Sequence, residues 1–284
     1  MITPGNTVLV LGATGNVGGE TVKAARALGL DVRETRRPGS DLPESAVAFD
    51  FLDPATYSGA LAGVTRLFLL RPPHISNVER DMRPFLEAVA GSAVERVVFL
   101  SLQGAESRSY LPHRKIELLL EQLQIPSTFL RPAFFMENLS TTHRQEISER
   151  SRITVPAGAA KFNFVSCTDI GKAAAVCLAD SDPRRERYRS YVLTGPENLA
   201  YGDVARILSE VSGRAITYRS PGPVRHYFLK RRDGASRGFA LVMTMLYYSR
   251  RFGGDPEISA DLEMLIGEKP RSLRDFARTH REDW

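Results

Sequence analysis

Cysteine is scarce in this chain, which has two cysteines among 284 residues. Cys167 and Cys177 are too few for a disulfide framework, so a small disulfide-stapled fold is excluded. Neither cysteine has metal-ligand partners at a suitable spacing, and the histidines also lack such spacing. We therefore expect a protein of a reducing compartment with no metal site.

Long apolar runs are missing too. The longest, Gly238 to Leu246 with two tyrosines after it, is far shorter than the roughly 18 residues that a membrane span needs. The first six residues show neither the basic segment nor the cleavage-type site of a signal peptide. We therefore expect a soluble, cytoplasmic protein with no membrane partner.

The composition is that of an ordinary globular protein, with 43% hydrophobic and 25% charged residues. These values exclude disorder, collagen and coiled coil as descriptions of the whole chain. The net charge is +5, and basic runs such as Arg225 to Arg232 are typical of solvated faces, so no nucleic-acid partner is expected. At about 150 residues per domain, the length fits one large domain or one domain with a smaller lobe.

Strands and helices alternate along the first half of the chain. Thr7 to Leu11 is a continuous apolar run, typical of a strand buried on both faces of a parallel sheet. Further strands are predicted at 31–37, 47–49, 65–70, 95–100 and 127–131, and helices at 20–28, 54–61, 78–90 and 114–123. This alternation predicts an α/β fold with a doubly wound parallel Rossmann sheet.

Helices dominate the last part of the chain. After strands at 153–155, 162–165 and 190–193 and a helix at 169–178, helices are predicted at 204–212, 223–230, 238–251, 258–266 and 273–281. We therefore expect a Rossmann domain over 1–150 and a smaller, mainly helical C-terminal substrate lobe over 151–284. The strands near 162–165 and 190–193 are expected to rejoin the sheet region.

A glycine-rich turn lies between the first strand and the first helix. Gly12, Gly15 and Gly18 form G-x-x-G-x-x-G, one residue longer than the dinucleotide fingerprint. Glycine is needed where the chain turns tightly, where the backbone approaches the phosphates, and where the helix packs against the strand. The unpaired N–H groups of the first helical turn attract a pyrophosphate. This turn therefore predicts a dinucleotide site.

The end of the second strand indicates which dinucleotide is bound. An acidic residue there contacts the ribose 2′-hydroxyl of NAD, whereas an arginine accommodates the 2′-phosphate of NADP. Arg36 and Arg37 occupy this position and favour NADP(H). Glu34 argues for NAD instead, because a register shifted by one or two residues would bring its carboxylate near the ribose.

Several short segments together match one family pattern. They are Gly12 to Gly18, Thr35 to Pro38, Asp50 to Asp53, His113 to Glu117 and Leu130 to Leu139. With these segments the chain resembles the NmrA-like branch of the atypical short-chain dehydrogenases. Within that branch it is most similar to the group of triphenylmethane reductases, type 2 quinone oxidoreductases and ergot-alkaloid iminium reductases.

The resemblance implies a set of cofactor and substrate contacts. Thr14, Asn16 and Val17 would line the pyrophosphate, and Asp50 and Phe51 would border the adenine. The remaining implied contacts are Leu70, Arg71, Pro72 and Ser101 at the riboses, Pro132, Ala133 and Phe134 at the nicotinamide, and Phe135, Met136 and Asn138 at the substrate.

The chain departs from ordinary short-chain dehydrogenases at the catalytic residues. Those enzymes use a Ser, a Tyr and a Lys four residues after the Tyr, and the Tyr donates a proton to the substrate. Ser101 could supply the Ser, and His113 falls where related reductases carry the Lys. Tyr110 stands four residues before Arg114 and is a candidate acid, with an exposed loop aromatic as the alternative. The ordinary pKa of histidine suits His113 for ribose binding or proton supply.

Without a Tyr-Lys pair, hydride addition to an electron-poor acceptor is the more plausible chemistry, because it needs mainly proximity and orientation. We therefore expect an NADPH-dependent reductase of quinone, iminium or arylmethyl-type acceptors. One alternative is a non-catalytic NADP(H)-sensing regulator of the NmrA type, and a sugar-nucleotide epimerase-like enzyme is another. The fold alone does not decide among them.

Aromatic residues are frequent in the predicted C-terminal lobe. Tyr227, Tyr247 and Tyr248 could wall a pocket for a flat ligand, although aromatic residues at helical spacing often form core instead. The partner expected from this pattern is a small aromatic or conjugated substrate. Folds of this kind often form homodimers, and a homodimer is therefore a further expectation.

Overall fold

The computed structural model of the chain describes residues 7–41, 43, 45–180 and 186–284. The expected lack of a signal peptide concerns residues 1–6, which lie outside these ranges. The described residues fall into two compact units. Unit 1 comprises Met1–Pro132, Cys167–Leu193 and Ala260–Glu268, and unit 2 comprises Ala133–Ser166, Thr194–Ser259 and Lys269–Trp284.

The described chain contains twelve strands and twelve α-helices. The strands are β1 (Thr7–Val10), β2 (Asp31–Arg36), β3 (Ala46–Ala48), β4 (Val64–Leu70), β5 (Arg96–Leu100), β6 (Ser127–Pro132), β7 (Phe134–Phe135), β8 (Arg152–Thr154), β9 (Lys161–Val165), β10 (Tyr188–Leu193), β11 (Asn198–Ala200) and β12 (Thr217–Arg219). The helices are α1 (Asn16–Ala27), α2 (Tyr57–Leu61), α3 (Val78–Asp81), α4 (Arg83–Ala90), α5 (Pro112–Gln122), α6 (Arg144–Arg150), α7 (Cys167–Ala179), α8 (Tyr201–Ser212), α9 (Pro223–Arg232), α10 (Arg237–Ser249), α11 (Asp261–Ile266) and α12 (Leu273–Thr279).

The described part of unit 1 is built on a seven-stranded sheet with the order β10-β6-β5-β4-β1-β2-β3. All neighbouring strands are parallel, and β1 lies between β2 and β4. The order 3-2-1-4-5-6 within this sheet is that of a doubly wound dinucleotide-binding fold, whose ligand site lies where the strand order reverses. The predicted Rossmann sheet is confirmed, and its reversal point lies between β1 and β4.

The apolar strand sequences explain why this sheet is buried. Leu9, Leu67 and Phe99 are fully buried in the core on one side of the sheet. In the same core, Phe85 of α4 packs edge-on against Phe49 and Phe51, with ring centroids 4.7 and 5.4 Å away. Aromatic side chains bury large areas in such clusters and dominate core energetics.

Helix α1 packs closely on α7 in unit 1. The contact needs a glycine, because a Cβ built on Gly171 of α7 would lie 2.6 Å from the backbone carbon of Glu20 and 2.8 Å from the backbone nitrogen of Thr21. Such distances are far below van der Waals contact, so the two helix backbones approach as closely as glycine allows. The spacing between α1 and α7 therefore depends on Gly171.

The segment 78–90 is divided into two helices, α3 and α4, rather than the single helix predicted there. Pro84 lies in the first turn of α4, where its missing N–H leaves no hydrogen bond unmade. A continuous helix would place this proline in its interior, where it would remove a hydrogen bond and clash with the preceding turn. The proline therefore explains the break.

Unit 2 contains two small sheets, with the orders β11-β9-β7 and β12-β8. Strand β10 joins the large sheet beside β6, as expected for 190–193. Strand β9 does not, because it pairs with β7 and β11, and its Phe162 and Phe164 pack in the unit 2 core. The second unit also begins at Ala133, not at residue 151 as the expected division had it, because β7 pairs with β9.

Two fully buried histidines lie in the unit 2 core. The His143 Nε2 lies 2.9 Å from the Tyr247 hydroxyl, and the His226 Nδ1 lies 2.8 Å from the Thr244 hydroxyl. Burial, with Lys230 nearby, lowers the pKa of His143 to about 3 and that of His226 to about 4. Both histidines are therefore neutral in the folded protein at neutral pH.

We predict that Gly171→Ala lowers the free energy of unfolding by about 2–3 kcal/mol, because the new methyl group forces α1 and α7 apart. The measurement is urea unfolding followed by circular dichroism. Gly59→Ala is the matched control, since Gly59 lies inside α2 and a Cβ there meets no atom within 4 Å. Equal stability of the two variants would contradict the close-packing account.

We also predict a loss of stability as the pH falls from 7 to 5. In the unfolded chain the two histidines have a pKa of about 6.5 and take up protons in this range, whereas the folded His143 and His226 remain neutral. Each histidine therefore lowers the free energy of unfolding by about 2 kcal/mol at pH 5. Urea unfolding at the two pH values measures the loss. His226→Asn should remove about 2 kcal/mol of this pH dependence, and an unchanged dependence would refute the assignment.

Candidate active site

The glycine turn follows β1 at the carboxyl edge of the large sheet. Gly12 has a φ of +65°, a left-handed conformation that favours glycine. A Cβ on Gly18 would lie 2.1 Å from the carbonyl oxygen of Gly12, so α1 can approach the turn only without a side chain at this position. The first and third glycines are therefore required by geometry.

The first turn of α1 is open to an anion. Gly15 is the N-cap residue, no side chain caps the helix, and its first turn contains no acidic residue. Thr14, Gly15 and Asn16 are exposed around this end, whereas the Val17 side chain is buried. Backbone N–H groups and the helix dipole therefore favour negative charge here, as the site of a pyrophosphate requires.

A buried threonine fixes the turn to the neighbouring strand, and sequence reasoning assigned it no role. The Thr35 hydroxyl donates to the Val10 carbonyl at 3.2 Å and accepts the Gly12 N–H at 3.2 Å. Thr35 alternates with Arg36 along β2, so its side chain lies on the opposite face of the sheet from that of Arg36. Its neighbours in β2 are Glu34 and Arg36, so no apolar pattern marked Thr35 in the sequence.

Arg36 is the last residue of β2, which pairs with β1, the strand that precedes the glycine turn. Its guanidinium contacts the Glu34 carboxylate at 3.1 Å, and Arg26 of α1 contacts the same carboxylate at 3.0 Å. Glu34 is thus buried and shared by two cations, which makes its carboxylate a poor partner for a ribose hydroxyl. Arg37 is exposed, with no ion pair among the described residues.

The predicted nucleotide contacts Leu70, Arg71 and Pro72 follow one another at the end of β4. The Leu70 side chain abuts Gly12, where a Cβ would lie 2.8 Å from the Leu70 Cδ2. The Arg71 guanidinium donates to the carbonyls of Pro72 and Ile75 at 3.1 and 2.5 Å and so holds this loop. Burial lowers the pKa of Arg71.

The two predicted adenine contacts lie after β3. The Asp50 carboxylate is half-buried and accepts the N–H of Leu52 at 2.9 Å. The Phe51 ring, however, is 6% exposed and belongs to the unit 1 core, where it packs on Phe49 and Phe85. Core packing takes up the Phe51 ring, and the prediction that Phe51 borders the adenine stays a prediction.

A buried carboxylate, which sequence reasoning missed, lies at the ends of β5 and β6. Glu117 of α5 is fully buried and accepts hydrogen bonds from the Ser101 hydroxyl at 2.7 Å and from Arg114 at 2.9 Å. Arg131 makes a bidentate contact with it through Nε and Nη2, both at 3.0 Å. Burial would raise the pKa of Glu117, but the hydrogen bonds from Arg131, Ser101 and Arg114 outweigh it and lower the pKa.

This network changes the interpretation of Ser101. Its hydroxyl proton is donated to Glu117, and the side chain is 4% exposed. Ser101 cannot donate that proton to a substrate without breaking a charge-assisted hydrogen bond in a buried place. The structure shows Ser101 as a buried hydrogen-bond donor that connects the end of β5 to α5, and its catalytic role stays a prediction.

His113 lies in the first turn of α5, four residues before Glu117. Its half-buried ring stacks on Phe99 with centroids 6.3 Å apart. Burial and the nearby Arg71 lower its pKa to about 4, with Glu117 acting in the opposite direction. At neutral pH the ring is therefore neutral and can form hydrogen bonds, but it is not the imidazolium that a cationic proton donor would need.

Tyr110 does not join this group. Its side chain is 71% exposed on the loop before α5, and it makes no hydrogen bond among the described residues. The exposed loop aromatic, the alternative interpretation, therefore describes it better than the catalytic acid.

The predicted nicotinamide and substrate residues from Pro132 to Asn138 belong to both units. Pro132 is buried at the end of unit 1, and Ala133, Phe134, Phe135 and Asn138 are half-buried in unit 2. Phe134 packs edge-on against Phe162, with centroids 4.9 Å apart. The roles of these half-buried residues remain predictions.

Two predicted substrate residues are core residues instead. Met136 is fully buried among the apolar side chains of unit 2, and Tyr247 is 1% exposed with its hydroxyl on His143. Core packing takes up both side chains, and their contact with a substrate stays a prediction. Tyr227 and Tyr248 are half-buried, next to Phe228 and Phe252 respectively.

The model of the NmrA-like family matches residues 4–231, which is most of the chain. The chain belongs to the NmrA-like family. The expected resemblance is thereby confirmed.

Known proteins similar to this NmrA-like chain include curated relatives and a solved structure. It is 28% identical over 281 residues to Prestalk A differentiation protein A of Dictyostelium discoideum, covering 96% of this chain and 91% of that protein. It is 32% identical over 206 residues to festuclavine dehydrogenase easG of Aspergillus fumigatus, covering 70% and 69%. The structure of Citrobacter sp. triphenylmethane reductase complexed with NADP(H) has a TM-score of 0.80 at 23% identity, covering 97% and 99%, which shows the same fold.

We predict that Glu117→Gln lowers the free energy of unfolding by about 3 kcal/mol, because Arg131 and Arg114 lose the buried charge that compensates them. Urea unfolding at pH 7 measures the change. Glu121→Gln is the matched control one turn along α5, where the carboxylate is part-exposed and lies 3.6 Å from Arg114, and it should cost less than about 1 kcal/mol. A similarly small effect at Glu117 would rule out its role as the charge centre.

Proposed function

We propose that this NmrA-like protein is an NADP(H)-dependent reductase that transfers a hydride to a conjugated, electron-poor acceptor. The observation that carries the proposal is the juxtaposition of the open first turn of α1 with Arg36 at the end of the adjacent strand β2. The named activities of the similar proteins, a dehydrogenase and a reductase complexed with NADP(H), support it.

The residues of unit 1 fit this cofactor. The uncapped first turn of α1 would hold the pyrophosphate. Gly18 allows the helix to approach the glycine turn so closely that no Cβ would fit there. Arg36 would bind the 2′-phosphate, with Glu34 fixing the direction of its guanidinium and Arg37 adding a second positive charge. When bound, NADPH supplies the hydride.

None of the three predicted catalytic side chains, as the structure describes them, is a preformed proton donor of the Tyr-Lys type. The Ser101 hydroxyl donates its hydrogen bond to Glu117, the Tyr110 side chain is exposed, and the His113 ring is neutral. An alcohol or ketone reaction would require proton transfer at the substrate oxygen. An acceptor that is already electron-poor, such as a quinone, an iminium ion or an arylmethyl cation, requires mainly orientation. We therefore infer that these acceptors are the substrate class.

His113 has a binding role in this proposal. A neutral imidazole can donate one hydrogen bond and accept another, which suits a ribose hydroxyl at the end of β5. Burial and the nearby Arg71 keep the ring neutral although Glu117 acts in the opposite direction, and the ring stacks on Phe99. A cytoplasmic location and a homodimer remain predictions from the sequence.

We predict that Arg36→Ala weakens NADPH binding about 30-fold while NADH binding changes little, because one charge-assisted contact to the 2′-phosphate contributes about 2 kcal/mol. Dissociation constants measured by cofactor fluorescence give both values. Arg26→Ala is the control, since it removes the other cation paired with Glu34 but lies on α1. A parallel loss for both cofactors would argue against a 2′-phosphate contact.

We predict NADPH oxidation with at least one acceptor in a panel of quinones, iminium ions and cationic triarylmethane dyes, measured at 340 nm. Because the folded pKa of His113 is about 4, kcat/KM should show no inflection near the ordinary histidine value of about 6.5. Tight NADPH binding without oxidation by any acceptor would favour the sensor alternative instead.

A further inference from the structure

The helix pair α9 and α10 in unit 2 exposes an unusual amount of apolar surface. Of the fifteen large apolar side chains that are exposed among the described residues, eight lie between residues 223 and 252, about a tenth of the chain. They are Val224, Phe228, Phe239, Leu241, Val242, Met245, Leu246 and Phe252, with exposed fractions from 43% to 76%. Clustered exposure of this kind marks an interaction surface, whereas scattered single residues do not.

Helix α10 is apolar around its whole circumference. Ala240, Thr244 and Tyr247 are buried in unit 2, while the opposite side carries Leu241, Val242, Met245 and Leu246. No charged residue occurs from Gly238 to Ser249. A helix that is apolar all round is normally covered on every side, so the exposed side of α10 is suited to a further apolar environment.

The ends of the two helices carry the positive charge of the protein. Residues 223–252 contain seven Lys and Arg and one acidic residue, Asp233, for a net charge of +6. The whole chain has a net charge of +5, so all other residues together carry −1. The cations lie at the helix ends, at Arg225, Lys230, Arg231, Arg232, Arg237, Arg250 and Arg251. This placement leaves the apolar stretch of α10 between two groups of cations.

Several of these arginines have no partner within the described part of the chain. Arg225, Arg232 and Arg237 are exposed and form no ion pair there. Asp233 lies 3.8 Å from Arg150, outside the helix pair. The surface thus combines uncompensated cations with exposed apolar side chains, and its partner must be both anionic and apolar.

We propose that the α9–α10 helix pair docks on the surface of an anionic phospholipid bilayer. The exposed apolar side chains would lie at the boundary of the acyl chains, and the arginines and Lys230 would reach the phosphate headgroups, as long basic side chains do at membrane interfaces. This inference does not depend on the proposed reductase activity, and it replaces the expectation of no membrane partner. No described helix is long and apolar enough to cross a bilayer, so the attachment is peripheral.

Other partners fit the charge or the shape less well. A symmetric contact with a second copy would place this +6 surface against itself, with repulsion between like charges. An acidic amphipathic peptide would satisfy the charge, but peptide anchors fill pockets, whereas here the apolar side chains project from the surface.

The test is co-sedimentation of the full chain with vesicles of phosphatidylcholine alone or with about 30% phosphatidylglycerol. We expect binding to the anionic vesicles only, weakened by salt. The variant R225Q/R232Q/R237Q should lower the partition coefficient about 100-fold, because each basic residue near the surface contributes about fivefold. The matched control R187Q/R219Q/R281Q removes three exposed arginines elsewhere and should change it less than about fivefold.

A second pair of variants tests the apolar part. Phe228→Ser with Val242→Ser should weaken binding at low salt, whereas Leu52→Ser with Met264→Ser, exposed apolar residues of unit 1, should not. Circular dichroism checks that each variant is folded, and NADPH oxidation with a soluble acceptor should be unchanged in all of them. Failure to bind anionic vesicles, equal binding by the arginine variants, or binding only to an acidic amphipathic peptide would overturn the proposal.

Discussion

The approach of helix α1 to the glycine turn is the constraint on which the rest of unit 1 depends. The space between Gly18 and the Gly12 carbonyl is too small for a Cβ, and the space between Gly171 of α7 and the α1 backbone is too small for one as well. Helix α1 is therefore held between two glycine contacts. Its open first turn consequently points to the carboxyl edge of the sheet, where β1, β2 and β4 end and where the fold binds a dinucleotide.

Two buried carboxylates at the same edge of the sheet pair with arginines in different ways. Glu34 is shared by Arg26 and Arg36 beside the first strands, and Glu117 is shared by Arg114 and Arg131 at β5 and β6. The first pair leaves Arg36 part-exposed and able to meet an anion. The second is buried and connects two strand ends to α5, which carries His113. One carboxylate thus orients Arg36, the proposed 2′-phosphate contact, and the other connects the strand ends to the helix that carries His113.

Much of unit 1 was accessible from the sequence, because apolar strands, a glycine turn and amphipathic helices each have a local pattern. The role of Glu117 was not, because a single acidic residue among Ile116, Leu119 and Leu120 does not reveal which strand ends it will meet. For the same reason Met136 and Tyr247 were assigned to the substrate although they are core residues. Periodicity indicates that a side chain is apolar, but tertiary packing decides whether it faces a ligand or a neighbouring helix.

In the proposed reaction the chain binds NADPH and orients an electron-poor acceptor, and no side chain acts as a proton donor. The most direct measurement is the isotope dependence of kcat/KM for an accepted iminium ion or triarylmethyl cation, in which the transferred deuterium forms a non-exchanging C–D bond, with NADPH deuterated at C4 and separately in heavy water. We predict a primary deuterium isotope effect, deuterium transferred to the product, and no solvent isotope effect. A solvent isotope effect accompanied by its loss in Tyr110→Phe or Ser101→Ala would contradict the account.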